Sequence, residues 1–73
     1  MKKEYNKTTF GKNLKMLRKE RNIGQNQLAE ELDLSNASIS FWENAKQEPT
    51  AYALYKIAQY FNVSIDFLLG LED

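Results

Sequence analysis

Apolar positions along this chain fall at helical intervals, and no stretch shows the strict alternation of a half-buried strand. Phe10, Leu14 and Leu17 stand at i, i+4 and i+7, which gives a first helix one inward face. Thr8 or Thr9 can cap it, and the pattern runs to about Arg21. Asn22, tolerant of positive φ, suits the exit. Gly24 then opens a second helix, about Gln25–Leu32, with Leu28, Ala29 and Leu32 inward. Asp33 sits in the turn, Leu34 anchors it, and Ser35 caps a third helix of about Asn36–Asn44 whose inward residues are Ile39 and Trp42. A loop over 45–49 ends at the only proline, Pro49. Thr50 caps a fourth helix of about Ala51–Phe61, with Leu54, Ile57, Ala58 and Phe61 inward; Asn62 ends it. Ser64 caps a short fifth helix carrying Ile65, Leu68 and Leu69 up to Gly70. The pattern predicts an all-α fold of five helices around one core, preceded by a flexible basic arm over residues 1–8.

Composition narrows what such a fold can do. Seventy-three residues allow one small domain, and most large apolar side chains must be committed to its core. Cysteine and histidine are both absent, which removes the thiolate nucleophile, the usual general base and the commonest transition-metal ligands. The scattered carboxylates and hydroxyls show no spacing that suggests catalysis, so the chain is not expected to be an enzyme, and no metal, cofactor or small-molecule substrate is implied. No apolar run reaches the roughly 18 residues of a membrane span, and the N-terminal MKKEYNKTTFGK lacks the apolar centre of a secretory signal, so a soluble cytoplasmic protein is expected.

Zero net charge conceals an asymmetry. Residues 1–21 hold eight cations and two acids (8 − 2 = +6), whereas 22–73 hold two cations and eight acids (2 − 8 = −6). The split suits a phosphate-facing side opposite an acidic one, and equally a solvated basic first helix.

Within this pattern, residues 25–44, QNQLAEELDLSNASISFWEN, read as two short helices joined by a tight turn. A third helix held from one side and bare on the other is built to be inserted into something, and a helix-turn-helix entering the major groove of DNA is the narrowest account.

The ordering resembles the Cro and phage-repressor type helix-turn-helix family, also called the XRE family. The resemblance covers about residues 10–71 and rests on FGKNLKMLRKERNI, QNQLAEEL, LSNASISFWEN, Pro49 after the loop, and LYKIAQYFNVSIDFLLG, in that order. It implies a five-helix, lambda-repressor-like DNA-binding domain over 9–71, acting as a sequence-specific transcriptional regulator, a phage- or mobile-element-type repressor. Family members of this size bind near-palindromic operators on double-stranded DNA as homodimers, since one recognition helix reads few base pairs.

The resemblance also assigns roles. Gln25 matches a glutamine that binds a backbone phosphate at the start of the second helix, where free N–H groups already favour an anion; otherwise it is a solvated polar residue. Arg18 and Glu43 match a salt bridge between the first helix and the end of the third; otherwise they are unrelated surface charges. With about 100° per residue, inward Ile39 and Trp42 leave Asn36, Ala37, Ser40, Phe41 and Asn44 on the outer arc. By resemblance the first four face base edges and Asn44 holds a phosphate. Asn36 is able to bind adenine N6 and N7, and Ala37 and Phe41 to meet thymine methyls. Lys46 and Gln47 would reach flanking phosphates; otherwise they belong to a solvated loop.

Four departures stand out. Gly24 replaces the usual Thr or Ser, Ala45 replaces the usual glycine and so speaks against a left-handed exit there, the third helix contains no Lys or Arg, and Phe41 occupies a place often held by Arg, Lys or Gln. An exposed phenylalanine there is a thymine reader, a wedge, or the mark of a protein-binding face. The alternative function is therefore a protein-interaction module, antitoxin-like or adaptor, on the same fold. Tyr52, Tyr55 and Tyr60, on or beside the outer face of the fourth helix, are candidates for a dimer surface or ordinary surface tyrosines.

Overall fold

The computed structural model describes residues 4–72, and all regular structure within them is helical. Five helices follow in order: α1 (Lys7–Glu20), α2 (Gln25–Leu32), α3 (Asn36–Glu43), α4 (Ala51–Phe61) and α5 (Ile65–Leu69). Lys2 and Lys3 of the expected basic arm lie outside the described residues. The first helix starts earlier than a Thr8 or Thr9 cap would place it. Asn6 is the cap, its Oδ1 accepting from the backbone N–H groups of Thr8 at 2.7 Å and Thr9 at 3.4 Å, so residues 7 and 8 are already helical. Tyr5, just before, packs against the core.

Ser35, Thr50 and Ser64 cap α3, α4 and α5 as expected, each hydroxyl accepting from the N–H three residues on. Gly24 leaves α2 without a side-chain cap. The exits share one device. Asn22, Asp33, Ala45, Asn62 and Gly70 follow the five helices with φ between 55° and 75°. After each, an N–H reaches back five residues to a helix carbonyl: Ile23 to Arg18, Leu34 to Ala29, Lys46 to Phe41, Val63 to Ala58 and Leu71 to Asp66. These are Schellman closures, which satisfy carbonyls that a helix end leaves bare. At four of them the residue after the turn is apolar; Ile23, Leu34 and Val63 pack on the core, and Lys46 is the exception. The left-handed exit that Ala45 argued against is present, with φ 57°. An L-residue with a Cβ pays about 1–2 kcal/mol for that conformation, which the closing hydrogen bond, 2.8 Å from Lys46 N–H to the Phe41 carbonyl, helps to offset.

The core joins all five helices. Phe10, Leu14, Leu28, Ile39, Ile57 and Leu68 are fully buried, and Trp42 lies edge-on to Phe10 with ring centroids 6.2 Å apart. α1 approaches the end of α3 at Gly11, where a Cβ would lie 2.4 Å from the Trp42 carbonyl oxygen. α5 is held by its C-terminal end: Asn13 Nδ2 donates to the carbonyls of Phe67 and Leu68 at 3.0 and 3.1 Å. Of the apolar residues that α5 carries, Leu68 is fully buried whereas Ile65 is exposed, because it opens a five-residue helix that α1 grips at the other end. Ala53 is buried beside the expected Ile57 and Phe61, while Leu54 and Ala58 are only partly covered.

Candidate functional site

α3 divides as its sequence divides. Ile39 and Trp42 are buried; Asn36, Ala37 and Phe41 are exposed and Ser40 is half-buried on the opposite arc. The exposed fraction of Phe41, 39%, is too large for a core residue and leaves part of its surface to a partner or to water. Asn44, which ends the helix, turns back along the same arc, its Nδ2 donating to the Ser40 carbonyl at 2.8 Å and lying 3.4 Å from Ser40 Oγ. Lys46 and Gln47 follow on the exposed loop.

The far side of α3 is anchored by charge. Arg18 Nε and Nη2 donate to Glu43 Oε2 and Oε1, both at 2.7 Å, and the two side chains are 8% and 3% exposed. Arg18 Nη1 also donates to the Ile23 carbonyl at 3.0 Å. The bidentate fork fixes the angle between α1 and α3, as a flexible ammonium would not. The hydrogen-bonded carboxylate holds the guanidinium even further above its ordinary range, so the cation is permanent. Gln25, half-buried in the first turn of α2, joins the pair: its Nε2 donates to Glu43 Oε1 at 3.1 Å. One carboxylate thus ties together α1, α2 and α3.

Sequence reasoning missed the part played by Asn13, Gly11 and the α4 flank. Arg21 Nη1 donates to the Tyr60 carbonyl at 3.2 Å, with its guanidinium carbon 5.2 Å and 5.0 Å from the Tyr60 and Phe61 ring centroids. The Tyr60 hydroxyl donates to Glu31 at 2.7 Å, and that bond raises its pKa. No local pattern signals these contacts; the only sign was the presence of a polar Asn13 and a glycine within an otherwise regular helix. Tyr52 and Tyr55, 62% and 53% exposed, line a shallow groove of about 300 Å³ with Leu32, Lys56, Gln59 and Tyr60. Lys56 donates to the Leu32 carbonyl while its Nζ stands 5.1 Å from the Tyr52 ring centroid.

Among the described residues no group of His, Cys, Asp and Glu is arranged to hold a metal ion, and no helix is long and apolar enough to cross a membrane.

Comparison with known proteins places this geometry among relatives. A family model described as helix-turn-helix matches residues 14–68. The HTH-type transcriptional activator BcrR of Enterococcus faecalis is 42% identical over 64 residues, 88% of this chain and 31% of BcrR. The HTH-type transcriptional regulator ImmR of Bacillus subtilis is 34% identical over 65 residues, 89% of this chain and 51% of ImmR. The chain therefore spans about half or less of these curated relatives. Among solved structures, the P22 c2 repressor in complex with a synthetic operator is similar with a TM-score of 0.80 at 30% identity, over 86% of this chain and 96% of that one.

Proposed function

This chain belongs to the XRE-type helix-turn-helix family, that of Cro and the phage repressors, and on that premise we propose that it is a DNA-binding transcriptional regulator with α3 as its recognition helix. The observation that carries the reading is the outer arc of α3. Asn36, Ala37, Ser40 and Phe41 stand together on it, facing away from Ile39 and Trp42, on a helix held rigidly by the Arg18–Glu43 fork. In the major groove these four would meet base edges, Asn36 at adenine and Ala37 and Phe41 at thymine methyls. Gln25, Asn44, Lys46 and Gln47 would hold flanking phosphates and set register. The act is occupancy of an operator, without covalent chemistry, metal or cofactor, and the P22 c2 neighbour supports repression of a phage or mobile-element type.

Four reading residues cover few base pairs, so the protein acts as a homodimer on a near-palindromic site. Tyr52 and Tyr55 on α4 and Ile65 on α5 supply exposed apolar surface for such a contact.

Selection of bound duplexes from a random-sequence pool, followed by titration across salt concentrations, tests the proposal. The expected result is an enriched two-fold motif and a log–log salt slope of about −0.9 for each neutralised phosphate. A flat salt response with no enriched motif favours the second reading, a protein-interaction module of antitoxin or adaptor type. One observation speaks for that module: the outer arc presents Phe41 and no Lys or Arg.

A further inference from the structure

We infer that Glu43 is a positioning residue for Gln25, aiming its amide at a DNA phosphate before any DNA is bound. The inference rests on the reading of Gln25 as a phosphate contact and adds how that contact is prepared.

The geometry begins with a carboxylate that is almost wholly withdrawn from water. Glu43 Oε1 accepts from Arg18 at 2.7 Å and from Gln25 Nε2 at 3.1 Å, while Oε2 is taken by Arg18 Nε. A carboxylate only accepts, so it selects the nitrogen of the Gln25 amide over the oxygen, and the amide cannot flip without setting two acceptors against each other. One Nε2 hydrogen is thereby directed into the fold. The second diverges from it by the fixed geometry of the amide, and among the described residues no acceptor takes it.

The same ion pair also fixes the backbone beneath Gln25. Arg18 holds the Ile23 carbonyl and Glu43 holds the Gln25 side chain, so the residues on both sides of Gly24 are tied to one fork. Gly24 brings no side-chain cap to compete for the first N–H groups of α2. An anion arriving there meets an oriented amide and open backbone donors, and the side-chain freedom of Gln25 has been given up on folding instead of on binding.

The test uses the whole chain and a duplex chosen from a random pool by the unaltered protein, with single methylphosphonates scanned along its backbone. At the phosphate that Gln25 binds, charge removal and Gln25→Ala should each cost about tenfold in affinity, and together little more than either alone. The variant Arg18→Met/Glu43→Met removes the carboxylate while replacing the buried pair with apolar side chains of similar size, an exchange the fold tolerates better than loss of one partner. It should lose about as much affinity as Gln25→Ala and become insensitive to that same methylphosphonate. If it folds, binds at full strength and stays sensitive there, Glu43 does not position Gln25. If no phosphate couples to Gln25→Ala, the contact itself is wrong and the inference falls with it. Should the double variant not fold, ¹⁵N relaxation of side-chain amides in the unaltered protein decides. Gln25 should be as rigid as the helix backbone, and motion equal to that of exposed Gln27 and Gln47 would overturn the inference.

Discussion

Gly11 and Trp42 meet through their backbones, with room for a hydrogen at position 11 and none for a carbon: a Cβ there would lie 2.4 Å from the Trp42 carbonyl oxygen and 3.1 Å from that of Glu43. Helix propensity alone favours Gly11→Ala by about 1 kcal/mol. The clash involves rigid backbone, so α1 must move off α3, and a net loss of about 1–3 kcal/mol is expected. Urea unfolding settles the sign, and a gain in stability would mean that the two helices do not approach as described.

The buried fork predicts strong coupling. Arg18→Ala and Glu43→Ala should each cost about 3–5 kcal/mol, since each strands its partner, and the double variant should cost clearly less than their sum. Measurements belong near the temperature of maximum stability, about 10–20 °C, where the single variants are best populated. A coupling energy of zero within error would show that the pair is not formed in solution.

Two positions should tolerate improvement. Ala45→Gly relieves a left-handed residue and Gly24→Ser supplies a missing cap, with nothing within 4 Å of the added Cβ. Each is expected to add about 0.5–1 kcal/mol, raising Tm by roughly 2–8 °C in a domain of this size. A fall in Tm for Ala45→Gly would place that residue outside the left-handed region.

Phe41→Ala separates the two functional readings. If Phe41 packs on a thymine methyl, the variant loses about 1–3 kcal/mol on the selected operator, and the loss shrinks when that thymine is replaced by uracil. If Phe41 docks a protein, DNA affinity is unchanged. In both cases Tm should barely move, because the exposed ring supports no core. A large drop in Tm would contradict the orientation of α3.

Alkaline pH should weaken the fold through its tyrosines. Both Tyr60, by its bond to Glu31, and Tyr5, by burial and then the charge of Glu48, have pKa values raised above 10.0. Above pH 10 the unfolded chain loses these protons more readily than the folded one, so the folded state binds more protons and stability falls as pH rises. The contribution is complete below pH 10 and disappears as pH passes the folded values. Urea midpoints between pH 8 and 11 should decline less steeply in Tyr60→Phe, and an unchanged decline would remove Tyr60 as a cause.

Local signals were the ones that could be read without coordinates. Ser35, Thr50 and Ser64 act on N–H groups three residues away, and the apolar spacing of Phe10, Leu14 and Leu17 defines a face wherever the helix is placed. Asn6 escaped notice because Thr8 and Thr9 also carry capping hydroxyls, and only the backbone shows which residue is used. Ala45 misled because its chemistry opposes its conformation, which the closure at Lys46 enforces. The exposure of Ile65 was not legible because periodicity does not say where along α5 the neighbouring helix ends its grip. The bond from Gln25 to Glu43 spans 18 residues, and the ties from Asn13 to Phe67 and Leu68 span 54 and 55. No short window contains both ends of such contacts.

The repeated left-handed closures have a consequence for how this domain can diversify. Each helix length is set by a backbone motif at its own end and a side-chain cap at its start, Gly24 apart. For α3 the closure draws on the backbone carbonyls of Ser40 and Phe41. That leaves the side chains of Asn36, Ala37, Ser40 and Phe41 outside the core and, apart from the 3.4 Å contact of Ser40 Oγ with Asn44, outside the closure. Those four positions form an interchangeable alphabet on a frame whose dimensions do not depend on what is written there. Drift among descendants can rewrite the letters one at a time without first having to rebuild the page.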